Sequence, residues 1–464
     1  MDALDSGGSP PAAANTISAA TLAARFERLP FTRYQRKLGF ILATCFVIDL
    51  LDISLLSYLL APISLDLQLS KGAAGLVGAA GFAGMGIGAT IAGVLADRFG
   101  RRRILVHSML LWGAATLLAA FAWDFWSFLT FRFITGIGLG AELPAALSLL
   151  AEFMPANRRA SLTGWMQVGG AAAGVAFGAL SLLAVSFAVA GWRGMFVLIA
   201  VSAVFALYVR RGLPESPRWY QSRGYAAQAD IEMRKIEAAV ETAQGRALPP
   251  ATVTDVTEVK EHRGSLRELV SRRYLRRTLL AWALWLIVLI GYYGITVWVG
   301  KLLVDRGMSI SKSIAATLLM QAGAIPGAWL AGYTLERVGR KAVMVAALGL
   351  VGVTAWWYGH ASSFGMVVVA GATMQFSLVA VATALYAYTP ELFPTRARAT
   401  GMGTASTVGR VSAITGPLIV PPMVLAWGNA GTFTAFAACF GLGAIIVLVF
   451  GPETKARVLE HISS

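Results

Sequence analysis

GVLADRFGRRR, beginning at Gly93, and GYTLERVGRK, beginning at Gly332, are one loop written twice, 239 residues apart. In each copy an acid follows the first glycine after four residues (Asp97, Glu336), with an arginine behind it (Arg98, Arg337). A second glycine follows after seven residues (Gly100, Gly339), and then a basic run opening at Arg101 and Arg340. EFMPANRRASLTG from Glu152 and ELFPTRARATGMG from Glu391 repeat at the same offset, keeping Glu-x-x-Pro-x-x-x-Arg (Arg159, Arg398). LPESPR at Leu213 and GPETK at Gly451 fall within one residue of it. Three motifs in one order at one spacing mark a duplicated unit.

The composition places that unit in a membrane. Hydrophobic residues make up 57% of the 464, and charged residues only 14%, far from the balance of a soluble chain. Apolar stretches of roughly 20 residues, the length that crosses a bilayer, recur along the chain. Twelve spans are read, at about 38–62, 73–96, 104–123, 126–151, 161–187, 193–211, 278–303, 313–335, 342–360, 364–389, 400–425 and 430–450. The expected fold is an all-α integral membrane protein with twelve transmembrane helices in two pseudo-symmetric six-helix bundles, residues 38–211 and 278–451. A tail (1–37), a linker (212–277) and a second tail (452–464) complete the chain. A duplicated membrane unit suggests a transporter.

The net charge of +15 raises the question of a nucleic-acid partner, and the distribution of the charge answers it. With both termini cytoplasmic, 32 of the 39 Lys and Arg fall in the tails and inner loops. Lys71, Arg193, Lys301, Arg306 and Lys312 lie in or beside outer loops, and Arg132 and Arg410 inside spans. This is the positive-inside bias, which orients a multi-pass protein in the cell (inner) membrane. No nucleic-acid partner is expected; the partners are the lipid bilayer, protons and a small organic anion, with the chain acting as a monomer. The N-terminal thirty residues lack the apolar run of a signal peptide. Cys45 and Cys439 sit in the first and last spans, so no disulfide is suggested. The four histidines are scattered, which gives neither a metal site nor a cofactor to expect. No nucleophile–base set or phosphate loop appears, so an enzyme is not expected.

In the linker, GYAAQADIEMRKIEAAVETAQGR combines helix formers with acid–base neighbours such as Glu232 and Lys235 at i,i+3. Short amphipathic helices on the inner surface are expected there. Gly93 suits close helix approach and Gly100 a tight turn. Asp97, at a helix end, suits a neighbouring helix N-terminus or an arginine, which would hold the inner side shut. Glu152 with Arg159, and Glu391 with Arg398, are placed to form similar clusters.

These loops resemble those of the major facilitator superfamily. GVLADRFGRRR is nearly its full loop signature, and FRFITGIGLG (Phe131–Gly140), LPESPRW and GPETK resemble signatures of its sugar-porter-like branch. The resemblance covers roughly residues 25–455 and implies two bundles alternating between inward- and outward-open states around a central site. In that reading the loop residues are gate parts shared across substrates.

Ionisable residues inside spans cost at least about 2.5–3.5 kcal/mol at the helix centre, which makes each a functional candidate. They are Asp49 and Asp52 in span 1, Arg132 and Glu142 in span 4, and Arg410 in span 11. At about 1.5 Å per residue, Asp52 lies roughly 21 Å from the inner edge and Arg132 roughly 9 Å from the outer edge. In a core of about 30 Å these are the same level, so the two can pair. Proton-coupled sugar porters carry an Asp and an Arg at matching positions, and the resemblance implies Asp52 as proton acceptor with Arg132 as partner. A static ion pair that only sets helix packing is the competing reading. Asp49, close to the same face, suits a second proton site or the cavity wall. Glu142, two residues before Pro144, suits an inward proton relay or the polar groups around a kink. Arg410 lies roughly 15 Å into its span, where a fork of donors suits a carboxylate; an internal partner such as Asp49 or Glu142 is the alternative.

Aromatic and amide side chains complete the candidate site: Tyr292, Tyr293 and Trp298 in span 7, Gln321 in span 8 and Gln375 in span 10. Aromatic walls around one central arginine suit a flat aromatic acid. RFERLPFTRYQRKLGF, GYYGITVW and LYAYTPELFPTRARATGMGTASTVGR resemble bacterial niacin transporters and aromatic-acid/proton symporters. Those symporters usually carry Asp-Gly-x-Asp in span 1, where this chain has Asp49-Leu50-Leu51-Asp52. Span 7 holds no glutamine, which counts against a hexose. The expected function is proton-coupled import of small aromatic monocarboxylates, nicotinate- or benzoate-like, by alternating access. The alternatives are an organic-cation or multidrug exporter and a sugar-type proton symporter. The two halves also differ: the equivalents of Asp52 and Arg132 are Gly291 and Gly371, and that of Arg410 is Ala171.

Overall fold

A computed structural model describes residues 19–154, 156–186, 191–250, 269–272, 274–393 and 395–454. The described residues fold into helices, with no strand among them. The side chains of Arg159, Gln167, Glu336 and Arg398 lie outside what is described, as do the tail before residue 19 and most of the linker after 250.

Spans 1 to 5 are the helices Arg33–Asp66, Lys71–Phe99, Arg101–Ala120, Phe125–Phe153 and Ala156–Ser186. Span 6 is Gly191–Ser202 continued by Phe205–Gly212. Spans 7, 9 and 10 are Leu275–Asp305, Arg340–His360 and Phe364–Glu391, and span 8 is Ile310–Ala322 continued by Ala324–Arg337. Spans 11 and 12 form one unbroken run, Thr395–Phe450, interrupted only at Gly428, whose φ of 66° and ψ of −176° leave the helical region. The twelve expected spans are therefore present, although the first starts earlier and two are broken. The linker holds the short helix Pro217–Ser222 and the longer Ala226–Gln244, and the tail contributes Ala19–Glu27.

The duplication reaches into the caps. Ser70 and Ser309 begin spans 2 and 8, each accepting from a backbone N–H of the first turn. Asp124 and Ser363 do the same for spans 4 and 10. Each pair is again 239 residues apart. These side chains satisfy helix donors that would otherwise be orphaned at the membrane boundary.

We call the end bearing the basic loops the inner end. The bundles meet in their outer halves. Ser57 Oγ donates to the Thr296 carbonyl at 2.7 Å, and the two residues are 239 apart. Equivalent positions in contact place this bond at the pseudo-two-fold axis between the halves. A side chain on Gly75 would meet the Pro417 carbonyl at 3.1 Å, and Lys71 reaches Asp305 at 3.9 Å. The outer side is thus shut. The ion pairs of the inner loops, Arg101–Glu152 and Arg340–Glu391, each stay inside one bundle.

Candidate functional site

Spans 2 and 4 pack backbone against backbone. A Cβ on Gly84 or Gly88 would strike the backbone at Phe133 or Ile137, and one on Gly136 or Gly140 would strike the carbonyl of Gly81 or Met85. Small residues four apart on both helices permit this approach. It sets Arg132 deep in the first bundle. The pairing expected from depth forms: Arg132 Nη1 donates to Asp52 Oδ1 at 2.8 Å and Nη2 to Oδ2 at 3.0 Å. Both side chains are only 3% exposed. A two-pronged guanidinium–carboxylate contact is the geometry that offsets burial best. Phe82, Met85, Gly78, Gly81, Leu139 and Val297 line a narrow gap of about 10 Å³ beside it.

Asp49 and Glu142 form a second buried polar cluster in the same bundle, nearer the inner end. Glu142 is fully buried and Asp49 nearly so. Trp112 of span 3 donates its indole N–H to Glu142 Oε2 at 2.6 Å. The two carboxyl groups lie close to each other, with Cys45 beside them. Neither acid reaches Arg410.

The central cavity, about 130 Å³, lies between the bundles. Leu50 and Ser54 of span 1 and Gly170 of span 5 form one wall, facing Tyr292, Tyr293 and Gln321. Tyr293 joins this cavity to the ion-pair space, because its ring lies 4.4 Å from that of Phe82. Arg410 Nη1 donates to the Met85 carbonyl across the bundle interface at 3.1 Å. Its charge acts on the hydroxyls of Tyr293 and Tyr386, and among the described residues it has no carboxylate partner. The structure thus groups Tyr292, Tyr293 and Gln321 on the cavity, with Arg410 beside Tyr293.

Two expected contacts lie elsewhere. Trp298 is buried in the outer closure, where its indole N–H donates to the Pro417 carbonyl at 2.9 Å. Gln375 sits behind Gln321, to whose side-chain oxygen its amide donates. Neither lines the cavity in this state. Tyr386, by contrast, belongs to the Arg410 surroundings; its helical position in span 10 is the signal that would have singled it out.

At the inner end Glu152 pairs with Arg101 and Glu391 with Arg340; the expected partners Arg159 and Arg398 have side chains outside the described residues. Ser216 and Thr454 donate to the same two carboxylates. The decisive residues are Glu215 and Glu453 of the third repeated motif. Glu215 accepts from the Arg102 backbone N–H at 3.0 Å, and Glu453 from that of Arg340 at 3.0 Å. Each carboxylate thereby caps the inner N-terminus of span 3 or span 9, where the helix field favours an anion. Gly100 (φ 105°, ψ 146°) and Gly339 (φ 125°, ψ 156°) precede these helices in a conformation open only to glycine. A Cβ on Gly100 would collide with the Glu215 carboxylate. Asp97 and Arg98 are solvent-exposed, and Trp219 donates to the Asp97 carbonyl at 2.8 Å. Gly93 faces open space, so no close helix approach occurs there. Arg337 lies over the Tyr333 ring, 4.3 Å from its centroid.

The tail is docked as well. Arg25 clamps Asp230 at 2.7 Å and Glu237 at 2.6 Å on the linker helix, and Arg28 adds a contact to Glu237 at 2.5 Å. The Glu232–Lys235 pair forms at 2.7 Å.

Comparison with known proteins gives the fold and its relatives. The family model described as sugar (and other) transporter matches residues 37–464. The niacin transporter NiaP of Acinetobacter baylyi is 31% identical over 446 residues, covering 95% of this chain and 99% of that protein. A gallate transporter of Pseudomonas putida is 31% identical over 400 residues, covering 85% and 86%. The inward-open structure of the xylose transporter XylE from E. coli superposes with a TM-score of 0.70 at 18% identity, covering 92% of this chain and 99% of that one.

Proposed function

This chain belongs to the sugar (and other) transporter family, within the major facilitator superfamily, and on that footing we propose that it imports small aromatic monocarboxylates together with protons. The observation that carries the reading is Arg410: a cation at the bundle interface, fixed by the Met85 carbonyl, flanked by tyrosines and unmatched by any described carboxylate. A substrate carboxylate supplies the missing charge, and the Tyr292 and Tyr293 rings offer faces for a flat acid. Relatives bearing the names niacin and gallate transporter support this chemistry. The cavity wall holds no carboxylate, and the buried acids are committed to Arg132 or to each other, which disfavours a cation exporter.

Asp52 is the proposed coupling group. Making and breaking its two-pronged contact with Arg132 is the proposed switch of the cycle. Binding of labelled nicotinate to purified protein tests the anion site. Arg410→Ala should cost about 2–5 kcal/mol, at least roughly 30-fold in affinity, while the protein stays folded. Unchanged binding would remove the assignment. Asp52→Asn should still exchange substrate across proteoliposomes but lose uphill uptake; persistence of uphill uptake would move coupling elsewhere.

A further inference from the structure

We propose that Asp49 and Glu142 form a carboxyl dyad that holds one shared proton, a second proton site separate from Asp52–Arg132. The inference deepens the reading above and rests on it for the substrate, though not for the dyad itself.

The argument is one of donors and acceptors. Trp112 satisfies Glu142 Oε2. Asp49 Oδ1 and Glu142 Oε1 are both buried and have no donor among the described residues. The two carboxyl groups nevertheless lie close to each other, beside the Trp112 indole that donates to Glu142. Two carboxylates offer only acceptors, so a hydrogen bond between them requires a proton on one. Two bare negative charges in this setting, with one indole N–H between them, would be unpaired buried ions. Among the described residues the surroundings supply no other remedy. On span 1 the facing groups are Cys45 and Asp52, and Asp52 is occupied by Arg132 of span 4. Span 3 presents the neutral Trp112. Span 5 packs on span 1 through Gly170 against Leu50, and its described residues Val168–Ala184 carry no charge.

The charge count is definite. With both acids ionised the dyad carries two negative charges; one proton leaves a single charge, with the O–H of one carboxyl donating to an oxygen of the other. Asp49 lies one helical turn inward of Asp52, and Glu142 lies inward of Arg132 on span 4. The dyad is therefore placed to pass its proton to water at the inner end, where the bundles are not joined by the outer contacts. A monocarboxylate carried with the Asp52 proton alone moves no net charge. Adding the dyad proton moves one positive charge inward per cycle, so an inside-negative potential would drive uptake.

Full-length protein in proteoliposomes with nicotinate as probe tests this. A potassium-diffusion potential, inside negative and with no pH difference, should drive accumulation by the wild type. Glu142→Gln keeps the shape and lets an amide N–H replace the shared proton, so it should retain counterflow and pH-driven uptake while losing the response to potential. Wild-type uptake indifferent to potential, or a potential response retained by Glu142→Gln, would overturn the dyad. Absence of nicotinate counterflow in the wild type would instead sink the substrate reading. The dyad is then judged by infrared spectroscopy of the substrate-free protein at neutral pH. A protonated-carboxyl stretch should be present in the wild type and missing in both Glu142→Gln and Asp49→Asn; its absence from the wild type would refute the shared proton.

Discussion

Removing Arg132 is the sharpest test of how the first bundle is held. Arg132→Ala leaves the Asp52 carboxylate, 3% exposed, among Phe82, Leu139, Val297 and Leu56, with both of its guanidinium donors gone. Breaking a buried pair from one side costs about 3–5 kcal/mol, because the surviving charge is uncompensated. The double variant Asp52→Asn/Arg132→Ala removes that charge as well. It retains only a buried amide and the space left by the arginine, a loss of about 1–3 kcal/mol. The double variant should therefore be more stable than Arg132→Ala by roughly 2 kcal/mol, and the coupling energy is that difference plus the cost of Asp52→Asn alone, which strands Arg132. Unfolding by denaturant titration in mixed micelles, run on wild type, both single variants and the double, measures the cycle. Arg132→Ala within about 1 kcal/mol of wild type, or a double variant equal to the sum of the singles, would refute the claim that this contact is a tight buried ion pair.

Two further outcomes concern the inner surface. Gly100→Ala forces a side chain into a glycine-only conformation, at about 1–3 kcal/mol, and into the Glu215 carboxylate; faster hydrogen exchange over 213–220 and the start of span 3 should follow. Glu215→Ala added to it should not restore wild-type protection, since the backbone strain remains. For Asp230 and Glu237, burial favours the protonated form, but hydrogen bonds and charge from Arg25, with Arg234 and Arg28 respectively, outweigh it and hold both carboxyls below their usual values. The docking this contributes is present above the unfolded values near 4 and is lost as pH falls through the lowered ones. In hydrogen exchange corrected for its intrinsic pH dependence, the 19–28 segment should lose protection below about pH 4 and be unprotected already at neutral pH in Arg25→Ala.

Much of this molecule was legible in its sequence because repetition and depth are one-dimensional quantities. The offset of 239 gave two bundles, and the same arithmetic relates the caps Ser70 and Ser309 and the touching pair Ser57 and Thr296. Counting rise per residue placed Asp52 opposite Arg132. What escaped was partner choice. Glu152 was read with Arg159, whose side chain lies outside the described residues; the fold also brings Arg101 to it, 51 residues upstream, a partner that local spacing does not show. Glu215 was visible as part of a repeated motif, but its task depends on a helix start 113 residues away. Trp298 shows the same limit. An aromatic in the right span reads as a cavity wall until the helix rotation is known, and here it faces Pro417 in the outer closure.

The paired cap of Gly100 and Glu215, and its copy at Gly339 and Glu453, draw on no residue that lines the central cavity. Mechanics and chemistry are thus written in separate parts of the chain. Cargo preference can drift through changes at Leu50, Gly170, Tyr292 or Gln321 without touching the hardware that makes each bundle move as a unit. A scaffold with that division can take a different cargo by a handful of substitutions at the cavity wall while its caps stay as they are.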